Sequence, residues 1–352
     1  MFKALKKYSG PVICSWVPLD FWHWLIDVDL VLPYYHMVSD QDVAHVSGLF
    51  KYRSVRQFKE DVEFFLRVYT PVSLQNIICH LDGVSQLPKR CFLLTFDDGF
   101  REIYDVVAPI LKAQGIPAVF FLTASIVDNR ELCYLQKMSL LIRSLASLGD
   151  SPAAREVSQV LTNAGVKDLD LPSRILSITY RQRHVLDELG PILGCDFAAY
   201  AASAQPYLTT AQTKDLMRQG FAIGAHSIDH PPYTELTLEE QLLQTQESLS
   251  WLSNRFQYEC QAFAFPFREA GVSPEFFQRA FADGRLKVSF GTHGMHRHFF
   301  PRNLTRFPMD DDDRKAAKML AREFGVALLR RPPWARPWVL KIQDIWTHHP
   351  GK

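Results

Sequence analysis

Close cysteine pairs are missing from this chain, and so is any excess of charge of one sign. The six cysteines, Cys14, Cys79, Cys91, Cys133, Cys195 and Cys260, are scattered with no Cys-x-x-Cys among them. That excludes a thiolate zinc knuckle, argues against a disulfide framework, and makes buried free thiols the expectation. Lys plus Arg total 39 against 38 for Asp plus Glu, so the electrostatic footprint of a nucleic-acid binder is absent and no nucleic-acid partner is expected. No stretch reaches the roughly 18 uncharged apolar residues of a membrane span. The basic start, Met1-Phe-Lys-Ala-Leu-Lys-Lys7, is followed by Pro11, Pro18, Asp20, His23, Asp27 and Asp29. No clean apolar segment forms there, no secretory signal is evident, and a cytoplasmic location is expected. Trp16, Trp22 and Trp24 leave room for peripheral contact with the inner face of the membrane.

What the chain does have is apolar residues in quantity. At 352 residues, 47% hydrophobic and with 25 phenylalanines, it can bury a large core, and one big domain with an insertion fits that length. Short β-branched or aromatic runs at 30–35, 91–96, 118–123, 221–225, 262–267 and 287–290 read as buried strands. Helical patterns lie between them: 55–69 places Phe58, Val62, Phe65 and Leu66 on one face, and 103–114 and 238–256 carry apolar stripes of their own. Strand–helix alternation implies an α/β fold with a largely parallel sheet, whose chemistry gathers at the C-terminal ends of the strands. Residues 128–220 break the alternation and read as a largely helical insertion on the catalytic face, a lid or part of a substrate groove. The segment 329–338, with three prolines, is expected to be an extended arm. The plan is therefore an N-terminal extension at 1–29, one domain at 30–325 with the insertion at about 128–220, and a Pro/Trp/Arg-rich arm at 326–352.

Two motifs carry the chemistry. Leu93-Leu-Thr-Phe-Asp-Asp-Gly-Phe100 is an apolar run that ends in adjacent carboxylates and a glycine, and His226-Ser-Ile-Asp-His230 follows much later. Side chains alternate along a strand, so Asp97 and Asp98 diverge only if the chain is leaving the sheet, which Gly99 permits. One carboxylate plus two imidazoles leaves positions open for water on a divalent cation, and the second carboxylate is placed to take that water's proton. The bland alternative for the carboxylates is an Asx-type turn.

Thr95-Phe-Asp-Asp-Gly99 and His226-Ser-Ile-Asp-His230 resemble, without a gap, the first two motifs of the polysaccharide deacetylases, the NodB-homology or carbohydrate esterase family 4 enzymes. The resemblance covers roughly residues 30–310. It implies a distorted (β/α)7 barrel, Asp97 as catalytic base, and Asp98, His226 and His230 as ligands of a divalent metal: zinc first, with Co2+, Ni2+ or Mn2+ as alternatives. Leu32-Pro-Tyr-Tyr-His36-Met-Val38 is similar to the strand that opens the permuted exopolysaccharide-type members, which makes His36 the candidate general acid; a core histidine bonded to backbone is the alternative. The family's third motif, Arg-x-Pro-aromatic-Gly, appears here as Ala264-Phe-Pro-Phe-Arg268. The arginine that orients the base is displaced. Either Arg268 or Arg306 substitutes for it, or the activity is altered. Phe265, Pro266, Phe267, Arg268 and Arg306 are the expected substrate-binding residues, with a backbone N–H near Phe267 as a second donor to an oxyanion.

The activity implied is hydrolytic removal of N-acetyl groups from amino sugars of a bacterial polysaccharide or its lipid-linked precursor, with a carbohydrate as substrate and peripheral contact with the membrane or a polysaccharide-synthesis machinery as the partner expectation. The alternatives are a deformylase, an O-acetyl esterase, or a glycan-binding protein without turnover. His293, His296 and His298 are read as an exposed loop, and the acidic run 310–313 as favouring the N-terminus of a helix over 314–324.

Overall fold

The computed structural model describes residues 19–25, 27–167, 170–295, 298–310, 313–329 and 339–340. Its main sheet has eight short strands, all parallel to their neighbours. The two at its edges, Asn303–Thr305 and Phe307–Pro308, are separated in the chain by Arg306 alone. They are two halves of one strand, so the sheet closes into seven staves: β1 (Pro33–Tyr35), β2 (Leu94–Phe96), β3 (Ala118–Leu122), β4 (Ala222–Ala225), β5 (Ala262–Ala264), β6 (Val288–Gly291) and β7, the split strand. The first half of β7 pairs with β6, Gly291 opposite Thr305; the second pairs with β1, Phe307 opposite Pro33. The expected (β/α)7 barrel is the observed one.

Period-two alternation sorts the side chains of every stave. Val119, Phe121, Ala262, Ala264, Val288 and Phe290 fill the barrel interior. Phe96, Phe120, Phe263, Phe265 and Phe307 face outward into the layer of helices. The helices are cut as their stripes require. Val55–Val68 starts at a capping box in which Ser54 accepts from the N–H of Gln57, and Leu238–Phe256 starts at another built on Thr237 and Glu240. The stretch expected as one helix over 103–114 opens as a π-turn, Ile103–Val107, before the α-helix Ala108–Ala113. The expected strands 30–35 and 91–96 are each broken. Their first halves, Leu30–Val31 and Cys91–Phe92, join Thr70–Pro71 in a small separate sheet at the N-terminal end of the barrel.

The insertion is helical, from Tyr134–Leu145 to Phe197–Ala204, and has an apolar core of its own around Leu141, Leu161, Ile175, Leu186 and Leu189. It is tied to the catalytic rim: Leu208 donates its N–H to the Gly99 carbonyl (2.9 Å), and Phe100 bridges Tyr207. Its C-terminal boundary differs from the one expected. The helix Thr210–Arg218 places Leu216 in the core around the barrel, so the inserted part ends before it. The boundary at 325 also moves, because the helix Ala316–Leu329 crosses it with Leu320 and Phe324 buried in that same core.

Trp22, expected to be available to a membrane, is buried at 4% exposure. Trp16, Cys14, His296 and the arm from 330 to 338 lie outside the described residues. Among the described residues no helix is long and apolar enough to cross a membrane, and the five cysteines described are free.

Candidate active site

Asp97, His226 and His36 each stand one residue beyond the C-terminal end of a stave, in the inward parity of the alternation. Asp97 follows the outward-facing Phe96, its N–H still bonded to the Tyr35 carbonyl at 2.9 Å. The next two residues leave the sheet through the left-handed region, with Asp98 at φ 69° and Gly99 at φ 73°. Two adjacent carboxylates thereby leave the end of one stave in different directions. Glycine is required at 99 for space as well as for φ: a Cβ there would stand 2.8 Å from Cδ2 of Leu122. Gly99→Ala is expected to destabilise the protein by roughly 1–3 kcal/mol, the cost of a strained backbone position, read as a lowered thermal midpoint.

Asp98, His226 and His230 converge, all buried, with ligating atoms within 4.8 Å of one another. Asp98 Oδ1 lies 3.3 Å from His226 Nε2 and 3.2 Å from His230 Nε2. The Nδ1 of His226 is 2.8 Å from the Ala264 carbonyl. A carbonyl only accepts, so Nδ1 carries a proton and Nε2 is the ring atom turned toward Asp98. Asp98 Oδ1 is buried without a hydrogen-bond partner, as is Nδ1 of His230. Lone pairs facing one another across such a gap need a cation between them. Oxygen and nitrogen donors that share a tetrahedral cation at roughly 2.0–2.2 Å stand about 3.3–3.6 Å apart, close to the 3.3 and 3.2 Å found here. The three residues thus fit a divalent metal. Burial alone would raise the Asp98 carboxyl, but the His230 and His226 imidazoles outweigh it and hold the group well below its usual range. Ser227 and His230 also sit at positive φ (66° and 63°), the kind of strain that accumulates where side chains are held in a fixed constellation.

The missing third-motif arginine is replaced from the other side of the barrel. Arg306 grips Asp97 with both guanidinium nitrogens, at 2.7 and 2.8 Å, and also donates to Thr95 Oγ1 at 3.0 Å. Its Nε reaches the Gly291 carbonyl at 3.3 Å, and the guanidinium carbon lies 4.8 Å from the centre of the Tyr34 ring. Arg306 is fully buried inside the barrel, which corrects the expectation that it binds substrate: every face of the guanidinium is engaged by protein. Burial pushes the Asp97 carboxyl up, yet Arg306 first and His226 after it bring it below the ordinary value. Asp97 is therefore ionised, oriented and excluded from the ligand group.

His36 is half-buried, 26% exposed at its side chain. Its backbone N–H and its Nδ1 both donate to Oδ2 of Asp310, at 2.7 Å each. With Nδ1 protonated by this contact, Nε2 is the atom left to exchange a proton. Burial lowers the affinity of the ring for a proton, but the Asp310 bond and the charges of Asp98, Asp310 and Asp97 overcome it and lift His36 to about 9. Phe50 packs against the ring at 4.8 Å.

Asp310 was not anticipated. Read as the first of an acidic run near a helix N-terminus, it is instead 3% exposed and bound to His36, while the helix starts only at Ala316. Asp313 pairs with Lys51 at 3.0 Å on the surface, and residues 311 and 312 lie outside the description. The missed signal was parity: Leu304, Arg306 and Asp310 share the inward phase of β7 and its continuation.

Of the remaining expected substrate contacts, Phe265 is contradicted. It has the outward parity and is fully buried among Tyr233, Phe276 and Phe277. Pro266 is buried beside it. Phe267, at φ 58°, turns the chain back so that its ring lies 5.0 Å from that of His230, and the half-buried Arg268 follows on the same loop. The histidines read as an exposed loop are more enclosed than expected. His298 is partly buried against Phe277 (4.9 Å), and His293 Nδ1 lies 4.0 Å from the buried Glu269.

A closed parallel barrel with a carboxylate and two imidazoles at its C-terminal mouth, and a clamped second carboxylate beside them, defines an α/β-barrel protein whose mouth carries a donor set that fits a divalent metal. The sequence profile of polysaccharide deacetylases matches residues 85–280, more than half of the chain. The chain belongs to the polysaccharide deacetylase family. It is 43% identical over 61 residues to the poly-beta-1,6-N-acetyl-D-glucosamine N-deacetylase of Escherichia coli K12, a segment that is 17% of this chain and 9% of that protein. The matched part is thus under a tenth of the curated relative's length. Among solved structures, IcaB from Ammonifex degensii aligns with a TM-score of 0.53 at 17% identity, covering 84% of this chain and 97% of its own. The Streptococcus pyogenes deacetylase PplD, solved with acetate, aligns with a TM-score of 0.52 at 14% identity, covering 81% and 94%. At these identities the two likenesses show the fold.

Proposed function

We propose that this protein is a metal-dependent hydrolase that removes N-acetyl groups from the amino sugars of a polysaccharide or its lipid-linked precursor. The observation that carries the reading is the Asp97–Arg306 pair: a buried carboxylate that takes no part in the ligand group, held in a bidentate fork beside it. A protein that only bound a glycan would have no use for such a group. The E. coli relative, a poly-beta-1,6-N-acetyl-D-glucosamine N-deacetylase, supports the substrate class.

The roles follow from the geometry. Asp98, His226 and His230 would hold the cation, zinc in the first instance. Bound there, the cation supplies Lewis-acid activation of water and of the acyl carbonyl. Asp97 takes a proton from the attacking water, its carboxylate kept ionised and aimed by Arg306. His36, protonated and held through Asp310, delivers a proton from Nε2 to the departing amine. Phe267 walls the cavity beside His230 and limits access of bulk water.

The reading is tested by acetate release from acetylated amino-sugar oligomers with zinc-loaded protein, alongside Asp97→Asn and a chelated sample. The variant is expected to lose roughly two to four orders of magnitude in rate, the usual range for a general base, while its metal content stays at the wild-type level. Chelation is expected to abolish release, and restored zinc to recover it. Release that persists in Asp97→Asn, or that ignores the chelator, would remove the basis of the reading. Formate from a formylated substrate, without acetate, would assign the site to a deformylase.

A further inference from the structure

The turn that follows β5 reaches both histidine ligands. At one end the Ala264 carbonyl lies 2.8 Å from Nδ1 of His226, and at the other the Phe267 ring lies 5.0 Å from the ring of His230. Phe267 holds a φ of 58°. A bulky side chain crowds the backbone in this left-handed region, and a residue stays there only where its surroundings fix it. The fixing comes from the end of β6. Thr292 Oγ1 donates to the Phe267 carbonyl, and the Thr292 N–H donates to Oε2 of Glu269 at 2.9 Å. The two bonds close a clasp across the turn, one on each side of Arg268.

We propose that Thr292, held by Glu269, is a positioning residue for the deacetylation: it keeps Phe267 in the strained conformation that directs its N–H to the acyl oxyanion forming beside Asp98, His226 and His230. The proposal rests on the de-N-acetylase reading and deepens it, because it names the residues that hold the second oxyanion donor in place.

Three observations support it. The first is the depth of the clasp. Glu269 is 2% exposed, and a carboxylate that accepts a backbone N–H in the interior makes a strong, charge-assisted bond. Its other oxygen, Oε1, is buried with no hydrogen-bond partner, a cost that an apolar side chain filling the same space would not carry. The second is the room made for it. A Cβ on Gly291 would stand 2.2 Å from the Glu269 carboxyl carbon, so the carboxylate lies against the end of β6 only because glycine is there. The third is shared footing. The Gly291 carbonyl accepts from the Arg306 N–H at 3.0 Å and from its Nε at 3.3 Å. Two consecutive residues, Gly291 and Thr292, thus hold Arg306, and through it Asp97, on one side and the Phe267 turn on the other. Without the Thr292 hydroxyl, Phe267 is free to return to negative φ. Its N–H and its ring then move together, since both hang on one Cα.

The experiment compares zinc-loaded wild type with Thr292→Val and Thr292→Ala, which lack the hydroxyl, and with Thr292→Ser, which keeps it. Circular dichroism and zinc content check the fold and the metal site. Acetate release from an N-acetylated amino-sugar oligomer gives kcat and KM, and calorimetric titration gives the affinity for methylphosphonate, a tetrahedral anion shaped like the oxyanion. Thr292→Val and Thr292→Ala are expected to lose about tenfold to a hundredfold in kcat, with KM within about twofold of wild type and zinc content unchanged. Thr292→Ser is expected to stay within about threefold of wild-type kcat. Methylphosphonate affinity is expected to fall by about tenfold in Thr292→Val and Thr292→Ala and to hold in Thr292→Ser. A kcat within about twofold of wild type without the hydroxyl, a Thr292→Ser no better than Thr292→Val, or a loss that follows KM or zinc content overturns the positioning role and leaves the deacetylase reading intact. If wild type releases no acetate, the deacetylase reading falls, and methylphosphonate alone decides the positioning role. Affinity that follows the hydroxyl then supports an anion donor held by Thr292; equal affinity in all variants, or none in wild type, overturns it.

Discussion

Replacing Arg306 with methionine is expected to destabilise the protein by roughly 3–5 kcal/mol, the usual result of stripping one partner from a buried ion pair, and to reduce acetate release by roughly two to four orders of magnitude. Both effects have one cause. Asp97 is 3% exposed at its side chain and Arg306 is 0%, so without the guanidinium the carboxylate is left uncompensated in the interior. Burial, the largest influence on Asp97, then acts unopposed by its chief counterweight and drives the group toward its protonated form. A protonated Asp97 no longer accepts a proton from water. Arg306→Lys keeps the charge without the fork, and is expected to recover part of the stability but little of the rate, because a point charge does not fix the carboxylate plane.

The double variant Asp97→Asn/Arg306→Met separates orientation from plain stability. It removes both charges, so it is expected to be more stable than Arg306→Met alone while remaining as inactive as Asp97→Asn. The readouts are chemical denaturation followed by circular dichroism, and acetate release. If Arg306→Met holds its denaturation midpoint and a rate within about twofold of wild type, the pair is not what orients the base.

The same residue explains what the sequence could and could not reveal. Six staves are legible because they are short, near-continuous apolar runs such as Ala118–Leu122, buried on both sides as parallel strands are. The seventh is not. Asn303-Leu-Thr-Arg-Phe-Pro308 carries an arginine and a proline, which read locally as a loop or an edge. It is a strand because the barrel needs closing: the Arg306 N–H bonds Gly291 of β6, and the next, that of Phe307, bonds Leu32 at β1. The closing residue points inward by parity and meets Asp97, so this carboxylate is clamped by the seam of the barrel instead of by the third motif. The two histidine and two carboxylate positions were legible because residue type, order and the Asp-Asp-Gly turn act locally. Arg306 and Asp310 act across 209 and 274 residues of chain, and their partners emerge only from the pairing of β7. Residues 128–220 were legible as an insertion but not in their end point, since the stripe of Thr210–Arg218 is alike whether it packs on an inserted bundle or on the barrel.

The second large effect concerns Asp310→Asn, which is expected to move the high-pH limb of the kcat/KM profile downward by at least about one pH unit. In the proposed reaction His36 is the acid and must be protonated, so activity is lost as the pH rises through its pKa. In the wild type that value is raised from 6.5 to about 9. Burial opposes the rise, and the Asp310 hydrogen bond is the largest influence that overcomes it, with the charges of Asp98, Asp310 and Asp97 behind it. Asparagine removes the charge and offers a weaker acceptor to Nδ1, so the folded pKa falls back while Asp98 and Asp97 keep part of the shift. The variant should retain most of its rate near the acid end of the profile and lose about tenfold or more on the alkaline side. Stability follows the same sign. A histidine whose folded pKa is raised contributes stability that is fully present below about 6.5 and is lost as pH rises through about 9. The wild type is therefore expected to exceed Asp310→Asn in stability most clearly at the acid end of that window, with the difference narrowing toward its alkaline limit. A pH profile of Asp310→Asn that superimposes on wild type, at whatever absolute rate, would show that His36 is not the acid. The general acid would then have to be sought among other groups at the barrel mouth.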